Sequence, residues 1–505
     1  MSINTPDWVK DAIFYQIFPD RFAKSERVSK QGLILEPWES PPTPYGFKGG
    51  DLLGIVEHLD YLQDLGINAL YLNPIAASAS NHRYHTYDYF KIDPLLGGDA
   101  AFRELLDAAH ARGIRVVPDG VFNHASRGFW QFHHVLENGD GSPYVDWFHF
   151  NPNRLNRKKH WGAYPTPGEQ KKMDAGVGSY DAIGYRAWWN LPALPKFNTN
   201  TPKVREFIFD AAVHWIKFGA DGWRLDVPAE IDDDSFWQEF RRRVKAANPE
   251  AYIVGEIWHE SQRWLQGDQF DAVMNYLLTG ALMGWLIGDR LPDYIFKIGD
   301  YHKYLRPLNA KEFADRIDFL LALYAPEINA VQFNLLDSHD TPRFITTAGD
   351  DLSALKLGWL FLFTYVGVPC IYYGDEIGLS GGSDPACRGS FEWDNEVWDL
   401  GINGYAKLLI RLRHDHPTLR RGTFSRLYAK GDVYAFTRIG EDETILVVIN
   451  GGTGTVSAVL PTPPGLADGP LTTLFGEANA HVSGGQVRGL KLAPRCGVVL
   501  GRRTK

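Results

Sequence analysis

Eight short apolar runs alternate with helical stretches along the 505-residue chain, and together they predict an α/β protein built on a (β/α)8 TIM barrel. About 105 residues separate the third run from the fourth, far more than one βα unit needs, so we expect an inserted subdomain there. After Thr418 alternating runs follow one another between Gly- and Pro-rich turns. This pattern predicts a C-terminal antiparallel β-sandwich.

The predicted barrel strands are short runs rich in β-branched or aromatic residues, typical of strands that are buried on both faces. They comprise residues 12–18, 69–72, 114–118, 222–225, 252–254, 272–274, 331–335 and 370–373. Between them, apolar residues recur with a helical period over residues 51–66. Another helix is expected to begin at Thr201 and Pro202, an N-cap residue followed by proline at the first helical position.

The length of the chain fits several domains, because single cores stop growing near 250 to 300 residues. We divide it into a first part of the barrel at residues 1–124, an inserted subdomain at 125–195, a second part of the barrel at 196–417 and the β-sandwich at 418–505.

Composition excludes several classes of function. A formal charge of -9 argues against a nucleic-acid partner, and no 18-residue apolar run is present to cross a membrane. The three cysteines Cys370, Cys387 and Cys496 give no disulfide framework, and the N-terminal residues do not resemble a secretory signal, so we expect a cytoplasmic protein. The 13% of aromatic residues fits either ordinary packing or the binding of flat neutral ligands such as sugar rings.

Polar residues directly follow four of the predicted strands, where a barrel of this kind places its reactive groups. They are Asp119, Asn123 and His124 after the third strand, Arg224 and Asp226 at the fourth, Glu256 after the fifth, and Asp337, His339 and Asp340 after the seventh. A single aspartate at such a position is more often a cap or turn residue. Four strand ends together predict a catalytic site at one mouth of the barrel.

These segments resemble the α-amylase family, glycoside hydrolase family 13. DGVFNH, GWRLDVPAE, GEIW and LLDSHDT are similar to the four signature regions of the family, LPKFNTN to its fifth, and FYQIFPDRF and HRYHTYDYF match as well. AYIVGEIWHES and GDQFDAVMNY resemble the branch that contains cyclomaltodextrinases, neopullulanases and maltogenic amylases.

The resemblance implies a retaining mechanism, which needs two carboxyl groups about 5 to 5.5 Å apart. Asp226 is the expected nucleophile and Glu256 the acid/base, because adjacent strands lie about 4.8 Å apart. Arg224 is expected to keep Asp226 ionised, and the apolar neighbours of Glu256 to keep that acid protonated. Asp340 would stabilise the distorted, oxocarbenium-like sugar.

The remaining expected site residues bind substrate. By resemblance, Tyr84 stacks under the reacting sugar, and His124 and His339 donate hydrogen bonds to its hydroxyl groups. Asp384 and Arg388 are expected to hold the next sugar outward, although a surface ion pair would give the same pattern.

We expect no required cofactor. Many family members bind calcium after the first strand, but residues 23–30 carry one carboxylate among three cations. A structural calcium near Asn123 stays open as an alternative, with Asp140, Asp146 and Asp174 of the insert as candidate ligands. No histidine spacing indicates zinc.

Two departures from the branch bear on assembly and specificity. The first predicted strand starts at residue 12, without the roughly 120-residue N-terminal domain with which that branch dimerises, so we expect a monomer with an open cleft that accepts starch. The alternative is a dimer formed through the Trp-rich insert, with Trp130, Trp147 and Trp161. Ala229 stands where the branch has Asn, which leaves the balance of hydrolysis and transfer open.

The sequence therefore predicts a retaining α-glucan hydrolase that cleaves α-1,4 bonds in maltooligosaccharides, cyclodextrins or starch, with some α-1,6 cleavage and transglycosylation. The alternatives are a 4-α-glucanotransferase, an α-glucosidase, or a carbohydrate-binding relative that has lost activity. The last would require the loss of a key carboxylate, and Asp226, Glu256 and Asp340 are all present.

Overall fold

The computed structural model describes residues 3–155, 162 and 164–503. Its central sheet has eight parallel strands, each buried along its length except at Arg115. They are β1 Phe14–Ile17, β2 Ala69–Leu72, β3 Arg115–Gly120, β4 Gly222–Leu225, β5 Tyr252–Gly255, β6 Ala272–Val273, β7 Phe333–Asn334 and β8 Val368–Tyr372. All eight predicted strands are confirmed. β7 is shorter than predicted, and β8 starts two residues earlier.

The sheet closes into a barrel. Its strand order is β6-β5-β4-β3-β2-β1-β8-β7. A parallel bridge between Met274 and Phe333 then joins the two outer strands, and the amide of Asn275 donates a 2.8 Å hydrogen bond to the carbonyl of Phe333. The predicted (β/α)8 fold is therefore confirmed, with its weakest pairing between β6 and β7.

Helices cover the outside of the barrel. β1 is followed by Pro19–Phe22, Leu52–Glu57 and Leu59–Leu65, and β2 is followed by Gly98–Ala111. β4 is preceded by Pro202–Phe218 and followed by Asp234–Ala247. β6 is followed by Tyr276–Leu286, Tyr301–Tyr304, Ala310–Leu323 and Pro326–Asn329, β7 by Phe344–Thr347 and Leu352–Thr364, and β8 by Leu400–Asp415 and Pro417–Arg421. The helix predicted from Thr201 and Pro202 is confirmed. None of the helices in the described ranges has the length and apolar character needed to span a bilayer.

The single helix predicted over residues 51–66 is wrong in one respect, because it breaks at His58. The imidazole Nδ1 of His58 lies 2.8 Å from the carbonyl oxygen of Gly54, and the ring packs against Trp393 at 3.7 Å between centroids, with an interplanar angle of 34°. A side-chain contact with the backbone and a distant aromatic partner thus interrupt a regular apolar period.

The insert lies between β3 and Pro202–Phe218. Its helices are Trp130–Asn138, Pro167–Asp174 and Ser179–Ala182. Phe129 and Phe148 of the insert pack edge to face and face to face with each other and with Phe197, which follows the insert, at ring centroid distances of 5.3 to 6.1 Å. The insert is therefore fixed on the barrel by an aromatic core. Trp161 lies outside the described residues.

The chain ends in two antiparallel sheets. One contains Thr423–Lys430, Val433–Ile439, Glu443–Asn450, Thr472–Phe475 and Cys496–Arg503, and the other contains Val456–Pro461, Gly469–Pro470, His481–Ser483 and Gln486–Leu492. Val433 and Leu446 of the first sheet share a buried cluster with Leu460 and Val487 of the second. This is the predicted β-sandwich.

Candidate active site

Arg224 is the centre of the polar cluster at the mouth of the barrel. Its guanidinium is buried, and Nη1 lies 2.8 Å from both carboxylate oxygens of Asp119 and 3.0 Å from Oδ1 of Asp226. Nη2 lies 3.0 Å from Oε2 of Glu256 and 3.9 Å from Oδ2 of Asp340. One cation therefore holds four carboxyl groups that come from the ends of four different strands.

Strand register places the two expected reacting carboxyls side by side. Leu225 of β4 pairs with Gly255 of β5, so Asp226 and Glu256 each follow the last paired residue of neighbouring strands. The amide of Glu256 donates to the carbonyl of Leu225 at 2.9 Å. Adjacent strand ends of this kind set the short separation that a retaining glycosidase requires.

Glu256 has a hydrogen-bond donor on each carboxylate oxygen. The indole Nε1 of Trp258 donates to Oε1 at 3.0 Å, and the backbone amide of Val227 donates to Oε2 at 3.0 Å. Val227 has a left-handed backbone with φ 38°, which is costly for a β-branched residue and is typical of strain held at a functional site. Trp258 is itself fixed by stacking on Tyr276 at 3.5 Å. The surroundings of Glu256 are thus less purely apolar than expected.

Arg224 lies beside Asp226 as expected, but its guanidinium does not act on that carboxyl alone. Burial raises the pKa of Asp226 well above its ordinary value; Arg224 opposes the rise, and the charges of Glu256 and Asp119 add to it. A single guanidinium cannot neutralise several carboxylates in a buried site. The pKa of Asp226 therefore depends on the neighbouring carboxyl groups as well as on Arg224.

Asp340 completes the group of carboxyls and is the most open of them. Its side chain is 30% exposed, and burial together with the charge of Glu256 raises the pKa of Asp340 to about 7. Arg388 Nη2 lies 3.3 Å from Oδ1, and Arg388 Nη1 lies 3.1 Å from Asp384. Arg388 is nearly buried and also donates to the carbonyl of His339, whereas Asp384 is half exposed at the rim.

Tyr84 and His339 form one layer of the site. Their rings stack at 5.6 Å with an interplanar angle of 5°, and the hydroxyl of Tyr84 lies 2.6 Å from Nε2 of His339. Gln16 Nε2 lies 2.9 Å from Nδ1 of His339. Burial lowers the pKa of His339 well below its ordinary value, so the ring is neutral, and the donor on Nδ1 implies that Nε2 carries the hydrogen.

Asp119 is a site residue to which sequence reasoning assigned no role, although it lies in the DGVFNH segment. It accepts hydrogen bonds from the hydroxyls of Tyr71 at 2.9 Å and Tyr84 at 2.8 Å, besides its ion pair with Arg224. Its position at the end of β3, in register with Arg224, was a signal that could have identified it.

His124 lies beside this network, five residues after Asp119. The ring is fully buried, Nδ1 lies 3.2 Å from the side-chain amide of Asn123, and burial lowers the pKa of His124 to about 3. Its Nε2 has no hydrogen-bond partner in the described part of the chain. A neutral, unpartnered imidazole at this position can bond to a ligand hydroxyl.

The residues considered for calcium do not form a cage. Asn123 is buried, whereas Asp140, Asp146 and Asp174 are exposed on the insert. Across residues 3–155, 162 and 164–503, no group of three or more His, Cys, Asp or Glu side chains is arranged to hold a metal ion.

Paired carboxyl groups on adjacent strand ends, at the mouth of a (β/α)8 barrel, are the chemical equipment of a glycoside hydrolase. The family model of the α-amylase catalytic domain matches residues 16–407, and the chain belongs to the α-amylase family. The resemblance read from the signature segments is confirmed.

Three relatives illustrate the similarity. A cyclomaltodextrinase of a Bacillus species is 46% identical over 450 residues, which are 88% of this chain and 73% of that protein. Neopullulanase 2 of Thermoactinomyces vulgaris is 40% identical over 98% of this chain and 78% of its own length. The crystal structure of a debranching enzyme from Nostoc punctiforme superposes with a TM-score of 0.86 at 48% identity, covering 99% of this chain and 100% of that one.

Proposed function

We propose that this chain is a retaining α-glucan hydrolase that cleaves α-1,4-glucosidic bonds in maltooligosaccharides, cyclodextrins or starch, with α-1,6 cleavage and some transglycosylation. The observation that carries the proposal is the shared bonding of Asp226 and Glu256 to Arg224 at adjacent strand ends. The names of the relatives support the substrate class, since they include a cyclomaltodextrinase, a neopullulanase and a debranching enzyme.

In the proposed reaction, Oδ2 of Asp226 attacks the anomeric carbon. This oxygen is buried and has no hydrogen-bond partner among the described residues, so its lone pairs are available. As the glycosidic bond breaks, Glu256 transfers its proton to the leaving oxygen, and a covalent glycosyl-enzyme forms. Water then attacks the same carbon, Glu256 takes up the proton of that water, and Asp226 is released.

Arg224 sets the charge state in which this can occur. In the proposed step Glu256 supplies the proton and Asp226 acts as the carboxylate, paired with Arg224. Asp340, open to the cleft and tied to Arg388, accepts hydrogen bonds from sugar hydroxyls and offsets the positive charge of the oxocarbenium-like transition state.

The other predicted residues would bind substrate. Tyr84 offers a ring face to the reacting sugar, and His124 would bond to a sugar hydroxyl through its unpartnered Nε2. His339 would contact the same sugar from its place beside Tyr84, whose hydroxyl lies 2.6 Å from Nε2 of His339. Asp384 at the rim would reach the next glucosyl unit, held in place by its ion pair with Arg388.

The experiment is a pair of isosteric substitutions, Asp226→Asn and Glu256→Gln, assayed on maltohexaose, with Asp232→Asn as control. Asp232 is 79% exposed and pairs only at the surface with Arg263, so its loss should leave turnover within about twofold. Each of the two site variants should lose nearly all turnover while unfolding cooperatively like the unmodified enzyme. Either variant that keeps more than about a tenth of the original kcat would contradict the assignment.

The same assay separates the alternatives. A 4-α-glucanotransferase would redistribute chain lengths without releasing reducing ends, an α-glucosidase would release glucose from the first minutes, and a non-catalytic relative would turn over nothing. Product chromatography over time on maltotriose, β-cyclodextrin, pullulan and starch distinguishes them.

Three further proposals concern the state of the protein. We propose a monomer that needs no metal ion and acts in the cytoplasm. The three cysteines, all unpaired, and a similar protein named as an intracellular maltogenic amylase support the location.

A further inference from the structure

Gln16 is a side chain of β1 to which the proposed reaction gives no role. It is fully buried, and its amide nitrogen lies 2.9 Å from Oδ1 of Asn73 and 2.9 Å from Nδ1 of His339. Its carbonyl oxygen is also buried and has no hydrogen-bond partner among the described residues. An unpartnered buried acceptor is costly, so the two bonds of the nitrogen must impose this orientation on Gln16.

Asn73, directly after β2, fixes the direction of these bonds. Its amide nitrogen lies 3.1 Å from the hydroxyl oxygen of Tyr84, and that hydroxyl donates to Oδ2 of Asp119 at 2.8 Å. Because the hydrogen of Tyr84 points to Asp119, the hydroxyl oxygen can only accept from Asn73. The nitrogen of Asn73 therefore faces Tyr84, and its oxygen faces Gln16. Gln16 must in turn present its N–H groups, since its own carbonyl would repel that oxygen.

The chain of hydrogen bonds ends on His339. One N–H of Gln16 donates to Asn73, and the other donates to Nδ1 of His339. A neutral imidazole carries one hydrogen, which must then be on Nε2. That nitrogen lies 3.1 Å from Oδ2 of Asp340 and 2.6 Å from the hydroxyl oxygen of Tyr84, and both oxygens can accept. The tautomer that Gln16 sets is thus the one that places a donor against Asp340.

The opposite tautomer would disturb Asp340. With the hydrogen on Nδ1, the lone pair of Nε2 would face a carboxylate oxygen and a hydroxyl oxygen, and acceptors in such positions repel one another. Arg388 would remain 3.3 Å from the other oxygen of Asp340. Because Asp340 offsets the charge of the proposed transition state, the disturbance should lower turnover more than it weakens ground-state binding.

We propose that Gln16, oriented by Asn73, is a positioning residue of the active site, which keeps the Nε2 hydrogen of His339 directed at Asp340. This inference rests on the proposed hydrolase function and extends it to two residues that the proposed reaction does not use. A role in packing alone would require only that these side chains fill the barrel, and would not depend on the direction of their hydrogen bonds.

Gln16→Met tests the role in turnover, because methionine keeps most of the volume of glutamine and cannot donate. We expect kcat on maltohexaose to fall roughly tenfold to a hundredfold, with KM within about threefold. Gln332→Met is the matched control. Gln332 is also buried, but its side chain accepts from the backbone amide of Val273 and not from a site residue.

The control should lose stability in urea as Gln16→Met does and keep kcat within about twofold of the parent enzyme. A kcat of Gln16→Met within about twofold of the parent, or an equal loss of kcat in Gln332→Met, would overturn the proposal.

A double substitution tests whether Asn73 acts through Gln16. Asn73→Leu alone should lower kcat, since Gln16 can then turn its carbonyl toward Nδ1 of His339. Added to Gln16→Met, Asn73→Leu should lower kcat by less than about threefold more, because the bond that it orients is already gone. Two losses that multiply in full would overturn the role assigned to Asn73.

Gln16→Glu tests the tautomer through the pH profile. At low pH a proton lies between the introduced carboxyl and Nδ1 of His339, and Nε2 keeps its hydrogen. Once that proton is lost, the ring hydrogen is drawn to Nδ1, where it faces a carboxylate. The ratio of kcat/KM for Gln16→Glu to that of the parent should therefore fall at least about tenfold from pH 5 to pH 8. A ratio that does not change with pH would overturn the proposal.

The ratio isolates this effect because the other titratable or charged groups around His339 are the same in both proteins. They are Tyr84, Asp340, His82, Arg224 and Arg388.

Neutron diffraction locates the hydrogen without any substitution. Crystals of unmodified enzyme exchanged into deuterium oxide should show deuterium on Nε2 of His339 and none on Nδ1. Deuterium on Nδ1 would overturn the proposal even if every variant failed to fold. Deuterium on Nε2 in an enzyme that cleaves no glucan would instead refute the hydrolase function and leave the chain of hydrogen bonds in place.

Discussion

Asp119 binds three side chains of the site, and replacing it tests how much these contacts contribute. Asp119→Asn keeps the shape of the side chain but removes its charge. The carboxylate now accepts from Tyr71, Tyr84 and Arg224, all at 2.8 to 2.9 Å. A neutral amide can accept through one oxygen only, and its own N–H groups would face donors.

The loss of unfolding free energy depends on the ion pairs that Arg224 retains in the variant. Breaking a buried ion pair by removing one partner costs about 3 to 5 kcal/mol, because the remaining charge stays buried. Arg224 retains Asp226 and Glu256 within 3.0 Å, so we expect the lower end, about 3 kcal/mol of unfolding free energy. The substitution also removes one of the charges that raise the pKa of Asp226, so that pKa should fall.

Urea unfolding at pH 7 measures the change. Asp60→Asn is the control, because the ion pair of Asp60 with Arg112 is exposed and should be worth less than about 1 kcal/mol. Turnover of maltohexaose by Asp119→Asn should fall at least about tenfold as Tyr84 and Arg224 lose their common anchor. A stability loss below about 1 kcal/mol, equal to that of the control, would refute the reasoning about Arg224.

Three further outcomes are expected. Asp340 has a folded-state pKa of about 7, above its value of about 3.9 in unfolded chains. The free energy of unfolding should therefore fall as pH rises from about 4 to 7, because the unfolded chain gives up this proton more readily than the folded one. Asp340→Asn should therefore gain about 1 to 2 kcal/mol more at pH 8 than at pH 5 in urea titrations, while turnover falls roughly a hundredfold; an equal gain at both pH values would contradict the raised pKa. Activity should survive exhaustive EDTA treatment, and complete loss restored by calcium would show that the insert binds a structural ion. Light scattering should give a monomer, with kcat/KM values for starch and β-cyclodextrin within about tenfold; a stable dimer with a hundredfold preference for cyclodextrin would contradict this.

The barrel could be predicted because its strands are short runs of β-branched or aromatic residues, which are easily distinguished from the longer helical stretches between them. The break at His58 could not, because its partner Trp393 lies far along the chain and only the fold brings the two rings together. Helical periodicity reports which face is buried and says nothing about a side chain that bonds back to its own helix.

In the site, the sequence predicted residue types well and their partners less well. Asp226, Glu256 and Arg224 were placed together correctly by strand order, but the sharing of one guanidinium among four carboxyls depends on side-chain directions at the barrel mouth. The left-handed backbone of Trp189 is equally invisible in sequence, since nothing in AWWN differs from ordinary aromatic packing.

The anomeric configuration of the first product tests the two-carboxylate account most directly. Proton NMR of maltohexaose digests, recorded within the first minutes, distinguishes the α-anomer from the β-anomer before mutarotation mixes them. Because Asp226 and Glu256 follow the paired ends of adjacent strands and both contact Arg224, we predict the α-anomer first. Initial accumulation of the β-anomer would mean an inverting reaction and would contradict Asp226 as a nucleophile.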